Sequence, residues 1–207
     1  MQSRAPTHAA LAPTLLPFAG NRTVQEIVLV LVGTALIAIA AKIKVPFYPV
    51  PMTLQTLAIG LIAATYGFRL GTLTVIAYLG EGLLGLPVFT NTPPAVAGPL
   101  YFLGPTGGFL IGFAVLAMVV GWAADRGFDR SAIRLFAVIL VGEILMFALG
   151  FVWLAWFAQL SSGASGLGVA TAFAAGVTPF IWGDLLKSAL TAFLVPAAWS
   201  LLGPVNS

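Results

Sequence analysis

Long apolar runs alternate along this chain with short clusters of charge, Gly and Pro. Residues 82–124 contain no charged side chain, and neither do residues 144–183. A helix that crosses a bilayer needs about 20 apolar residues, so each of these runs can hold two spans joined by an uncharged loop. The pattern predicts six spans, at about 25–43, 52–68, 70–86, 106–124, 132–158 and 177–202. The intervals are rich in helix-breaking residues, among them Pro46, Pro49 and Pro51, then Pro93, Pro94, Gly98, Pro99, Gly104 and Pro105, then Gly163, Gly166 and Gly168. The runs are too long and continuous for the alternating strands of an outer-membrane barrel. The expected fold is therefore all-α: an integral membrane, six-transmembrane-helix bundle. Residues 1–23, broken by Pro13 and Pro17, read as an N-terminal tail, and residues 24–207 as a single membrane domain. The tail lacks the uninterrupted apolar core of a cleaved signal peptide.

Composition sharpens this picture. Of 207 residues, 60% are hydrophobic and 7% charged, with nine Lys or Arg against six Asp or Glu. A soluble domain carries about a quarter charged residues, so this surface suits lipid and excludes a cytosolic enzyme or a nucleic-acid-binding domain. Cys is absent, which removes thiol chemistry and thiolate metal sites. Basic residues give the orientation. Arg4, Arg22, Arg69, Arg126, Arg130 and Arg134 fall on one side of a six-span arrangement, and Lys42 and Lys44 on the other. Positive charge marks the cytoplasm, so both termini are expected inside a bacterial inner membrane. Three outer loops follow, at about 44–51, 87–105 and 159–176. The second and third are long for a compact bundle, as binding loops often are.

Away from the ends near basic loops, four ionisable residues lie inside predicted spans: Glu81, Glu143, Asp184 and Lys187. Charge at bilayer depth is costly and usually faces a site or pathway. A rise of about 1.5 Å per residue brings Glu81, Asp184 and Lys187 together into the outer half, with Glu143 near the midplane. Asp184 and Lys187, spaced i, i+3, share one helix face. They form either a structural ion pair or an acceptor and donor for a polar ligand. Three carboxylates against one Lys leave a mismatch, so one acid is protonated or Lys42 or Lys44 reaches in. Glu143 and Glu81 each have a structural alternative, as a buried protonated group and as a cap beneath the second loop. His8 lies in the tail and offers no metal or catalytic role. The dispersed acids make no metal cluster. Gly104-Pro105-Thr106-Gly107-Gly108 lacks the Lys of a phosphate-binding loop. Binding, transport or conduction remains, and one concave site opening outward suits the charges better than a polar pore.

Four ordered segments resemble a known family. Pro49-Val50-Pro51-Met52-Thr53-Leu54-Gln55-Thr56-Leu57 resembles the start of the second helix in biotin transporter S components, the BioY family. Tyr78-Leu79 through Gly85-Leu86-Pro87-Val88-Phe89, Gly104-Pro105-Thr106-Gly107-Gly108-Phe109, and Gly183-Asp184-Leu185-Leu186-Lys187 complete the likeness over about 45–203. The resemblance implies a biotin-binding subunit of an energy-coupling factor transporter. Its expected partners are a transmembrane coupling subunit and two ABC-type ATPase subunits, which hydrolyse ATP in its place. Biotin is then the ligand, and no cofactor is expected.

The candidate site suits such a ligand. A ureido ring needs acceptors for two N–H groups and a donor for its carbonyl, and Asp184 and Lys187 offer both. Asn91, Gln55 and Thr53 donate and accept. Glu81 completes the polar set, and Tyr78, Tyr101, Trp153 and Trp156 offer rings for the apolar parts or form an interfacial aromatic belt, the role that better suits Trp156. Lys187 could equally meet the ligand carboxylate. Family members often carry Ala-x-x-x-Ala on the first helix, facing the coupling subunit. Here Thr34 and Ala38 give small-x-x-x-small, a surface for partner docking or for packing within the chain. Two alternatives stay open: an S component for another vitamin, and a channel or structural membrane protein whose buried charges only stabilise the bundle.

Overall fold

The computed structural model describes residues 10–11, 21–95 and 97–201. Helix α1 spans Arg22–Lys42, and the Asn21 side chain accepts from the Thr23 amide (3.0 Å) at its start. A short antiparallel pair follows, β1 (Lys44–Val45) with β2 (Met52–Thr53), in the register Lys44 to Thr53 and Val45 to Met52. Helix α2 covers Gln55–Leu83, α3 Pro99–Leu103 and α4 Gly107–Ala124. After a 3-10 turn at Phe128–Arg130, α5 runs Ala132–Val152 and continues as a π turn, Trp153–Phe157. Helix α6 is Val169–Gly176, and after a second 3-10 turn at Thr178–Phe180, α7 spans Ile181–Leu201.

Helix α2 is two arms rather than one rod. Gly67 has φ 78° and ψ −176° inside it, a backbone state open essentially to glycine alone. The chain reverses there. Gln55 and Tyr78 would stand about 35 Å apart along a straight helix, yet Gln55 Nε2 donates to Tyr78 Oη at 2.8 Å. Asp125 holds the reversal: its Oδ2 accepts the Phe68 amide at 3.2 Å. A Cβ on Gly67 would strike the same carboxylate.

The bundle is built on α4, which packs on α2 and α5, while α1 packs on α2, and α7 bridges α2 and α5. Small residues bring the backbones close. Gly112 lies against Met146, and Gly121 against the backbone of Gly67 and Phe68. Ile59, Leu116, Leu135 and Ile139 fill the core between them. The outer face is apolar too, with Leu31, Leu36, Ile39, Ile144, Leu186 and Phe193 exposed. A hydrophobic exterior of this extent belongs in hydrocarbon.

Among the described residues, five helical stretches are long and apolar enough to cross a membrane: Arg22–Lys42, Gln55–Leu83, Gly107–Ala124, Ala132–Phe157 and Val169–Leu201. The predicted spans at 52–68 and 70–86 are the two arms of one of them, folded at Gly67. Strand β1 falls in the first predicted loop, α3 in the second and α6 in part of the third, while β2 takes the first two residues of the predicted span 52–68, where cross-strand pairing with β1 replaces helix. The bundle has two unlike ends. At one lie Gly67, Asp125 and the Arg126–Arg134 turn, where Trp199 Nε1 donates to Asp129 Oδ2 (2.5 Å) and Arg130 stacks on the Trp199 ring. At the other, the β pair and the long connections gather over the ends of α2, α4, α5 and α7.

Candidate functional site

The second end holds a site assembled from three elements. Thr53 ends β2, Gln55 and Thr56 open α2, and Asp184 and Lys187 sit one turn apart on α7. Gly183 allows α7 to come close to Met52, since a Cβ there would crowd the Met52 sulfur. Asp184 and Lys187 form a salt bridge and are 3% and 6% exposed. Asp184 Oδ1 also accepts from Thr56 Oγ1 (2.8 Å), and Lys187 Nζ donates to the Thr53 carbonyl (3.0 Å). Thr53 Oγ1 in turn donates to Gln55 Oε1 (3.0 Å). A buried ion pair is tolerable only when its remaining donors and acceptors are met, and here α7 meets them through β2 and α2.

These residues form the polar end of a narrow cavity with about 520 Å³ of empty space, its mouth included. Thr90, Tyr101 and Thr106 add hydroxyls. The remaining wall is apolar, chiefly Phe89, Phe109, Phe113, Met146, Phe147 and Phe180. Tyr101 stacks on Phe89 with ring centroids 4.7 Å apart. Burial raises the Tyr101 phenol above its ordinary pKa, against the opposing hydrogen bonds of the Thr106 side chain and the Asn91 backbone. The phenol therefore stays neutral at physiological pH, able to donate and accept. The cavity thus offers a paired cation and anion at one end, scattered hydroxyls, and aromatic rings along the rest. Such a lining is complementary to an amphipathic small molecule.

Of the predicted residues, the structure brings Asp184, Lys187, Thr53, Gln55 and Tyr101 to this cavity. Asn91 lines an adjoining recess with Pro49, Leu100, Tyr101 and Thr106, so Tyr101 and Thr106 form the partition between the two. Tyr78 is fully buried behind the wall, where its hydroxyl accepts from Gln55 and donates to the Val88 carbonyl (3.2 Å). Glu81 is half-buried and outside the lining. Glu143 is likewise outside it, its Oε1 accepting from Ser188 Oγ (2.7 Å). Trp153 Nε1 donates to the Gly104 carbonyl (2.9 Å), and Trp156 is exposed. Lys42 and Lys44 reach the 87–92 loop rather than the ion pair. Thr34 is buried within the bundle and Ala38 half-buried, so packing inside the chain takes up Thr34, and the open face of α1 is Leu31, Val32, Ala35, Leu36 and Ile39. His8 lies outside the described residues.

Thr56, Thr90, Thr106 and the phenylalanine wall were not anticipated. Thr56 had a signal, since it adjoins Gln55 in a polar patch that opens an otherwise apolar helix.

Comparison with known proteins places this geometry. Residues 9–204 match the family model described as the BioY family. The chain belongs to the BioY family. Among its BioY relatives, the biotin transporter BioY2 of Lactococcus lactis subsp. cremoris is 33% identical over 170 residues, which is 82% of this chain and 87% of the relative. The biotin transporter BioY of Thermotoga maritima is 35% identical over 161 residues, 78% of this chain and 88% of the relative. That of Rhodobacter capsulatus is 38% identical over 172 residues, 78% and 87%. Among solved structures, the S-component for biotin from an ECF-type ABC transporter superposes with a TM-score of 0.72 at 27% identity, covering 88% of this chain and 95% of the other. The BioY match spans α1 to α7, so the cavity and both ends of the bundle lie inside the family region.

Proposed function

We propose that this BioY-family chain is the biotin-binding membrane subunit, or S component, of an energy-coupling factor transporter. It works in a bacterial cytoplasmic membrane and binds biotin in the cavity between β2, α2, α4, α5 and α7. The observation that carries the reading is the cavity's split lining, with the Asp184–Lys187 pair and its hydroxyls at one end and phenylalanines along the rest. Biotin is divided in the same way, into a polar ureido ring, an apolar thioether ring and chain, and a carboxylate. Asp184 supplies an acceptor and Lys187 a donor, Gln55 and Tyr101 can serve either way, and Thr56, whose proton goes to Asp184, can accept. No resident cofactor is needed for such binding. A coupling subunit and two ATPase subunits supply the energy of transport.

The two arms of α2 count as separate crossings in this reading, giving six in all, with both termini on the cytoplasmic side. The arginines at the Gly67 end support that orientation, in which the cavity faces outward. The first arm, 55–66, rises only about 18 Å, short of a hydrocarbon core about 30 Å thick. The polar end of the cavity, at its upper end, is then recessed below the outer surface.

Calorimetry of the detergent-purified protein tests the reading, with biotin as ligand and thiamine and riboflavin as controls. Tight one-to-one binding of biotin alone is expected. Folded protein that binds none of the three would return the ion pair to a purely structural role.

A further inference from the structure

The connection between α2 and α3 presents two residues to the cavity, Phe89 and Thr90. It contains Pro87, Pro93 and Pro94, which have no N–H to give, so it cannot close itself with a regular ladder. From the inside it is held by the Tyr78 hydroxyl, which donates to the Val88 carbonyl (3.2 Å), and by one ring. Phe89 is seated against Gly82, where any Cβ would overlap the ring, and packs on Tyr78, Tyr101 and Phe102. From the outside it is held by Lys42, the last residue of α1. Lys42 Nζ donates to the carbonyls of Pro87 (2.7 Å), Phe89 (2.6 Å) and Thr92. An ammonium has three N–H donors, and this one has three converging carbonyls. Lys44 adds bonds to the Thr90 carbonyl (3.3 Å) and to Asn91 Oδ1 (2.8 Å). Neither lysine pairs with a carboxylate among the described residues.

From this geometry we infer that Lys42 is a positioning residue for ligand binding: it clasps the 87–92 loop to the end of α1 and thereby holds Phe89 and Thr90 in the cavity wall. Lys42 is not itself among the residues that line the cavity. Three bonds from one side chain fix three carbonyls at once, two of them flanking Thr90 and Asn91. The fixed loop seats Phe89, and Phe89 backs Tyr101. Release of the clasp therefore loosens two rings of the wall while leaving Asp184 and Lys187 untouched. The consequence is specific: the ligand still enters and finds its polar partners, but leaves sooner.

The inference rests on the biotin reading, and its test separates the two. Biotin association and dissociation rates are measured on the purified full chain for wild type, Lys42→Met and Lys42→Arg. Amide exchange over residues 86–92 is followed without ligand. Lys42→Met is expected to raise the dissociation rate at least tenfold, with association within twofold of wild type and the thermal midpoint unchanged. Loop amides should exchange at least tenfold faster. Lys42→Arg, which keeps the charge and the donors, should recover most of the slow dissociation. Wild-type dissociation and exchange in Lys42→Met would overturn the clasp. Should that variant not fold, Lys42→Gln, with one donor fewer, reads the same two quantities. A wild-type protein that binds no biotin overturns the functional reading instead, and the exchange measurement then judges the clasp alone.

Discussion

In the proposed reading Asp184 and Lys187 serve two purposes, packing and ligand binding, that a single substitution confuses. Each is buried, so removing either strands the other in a poor solvent, at a cost of about 3–5 kcal/mol. Replacing both at once removes the stranded charge. Asp184→Asn and Lys187→Met alone should each lower the thermal midpoint and weaken biotin binding tenfold or more. The double variant should regain much of the stability and none of the affinity. Thermal melts and calorimetry on the same preparations check this, and affinity that returns with stability would make the pair purely structural. These two residues were legible in the sequence because charge at bilayer depth is rare. Thr56 was not, because a hydroxyl in an apolar helix usually bonds its own backbone. Thr65 and Thr74 do just that, donating to Leu61 and Leu70 carbonyls. The place of Thr56 beside Gln55 was a local hint of polarity, but its partner Asp184, 128 positions away, was not legible. The phenylalanine wall was hidden for a similar reason: Phe113 in the cavity and Phe193 on the outer face look alike in a chain where both environments are apolar.

Among the elements, the reversal in α2 depends most narrowly on one residue. Gly67→Ala forces a side chain into a backbone state that costs about 1–3 kcal/mol, and into the Asp125 carboxylate as well. The variant should lose folded protein or melt many degrees lower. Gly80→Ala, in the same helix with nothing within 4 Å of the added atom, should melt like wild type. Equal melting of the two would remove Gly67 from the turn's requirements. The sequence placed a break close to this point because Arg69 interrupts the apolar run, and the long helices were readable from hydropathy within a few residues. The short elements were not. Helix α6, Val-Ala-Thr-Ala-Phe-Ala-Ala-Gly, is too brief for a span and sits between glycines. The β1–β2 pair is two residues long on each side, and its partners are set by tertiary contact.

Over the whole molecule, the two ends differ in charge and in architecture. Arg22, Arg69, Arg126, Arg130 and Arg134 mark the end where the connections are short. Lys42 and Lys44, the ion pair and the long connections mark the other. The chain has no cysteine, so single thiols can be introduced without background. Ser162→Cys, in an exposed turn at the cavity end, should react with a membrane-impermeant maleimide in intact cells. Ala132→Cys, at the arginine end, should react only after permeabilisation. The reverse pattern would invert the proposed topology and put the cavity mouth in the cytoplasm.

The Gly67 reversal also bears on how the chain enters the bilayer. A turn of one glycine, capped by Asp125 from the α4 end, leaves no linker beyond Arg69 beside it to rest at the membrane surface between two insertion events. The arms 55–66 and 68–83 should therefore leave the translocon together, as a hairpin. A force profile recorded on the nascent chain should show one pulling event for this segment, and two separated events would argue for stepwise insertion followed by closure of the turn. Because Asp125 is synthesised more than fifty residues after Gly67, the turn waits uncapped until α4 is made. The first arms of the bundle are thus held provisionally during synthesis, and the later helix completes them.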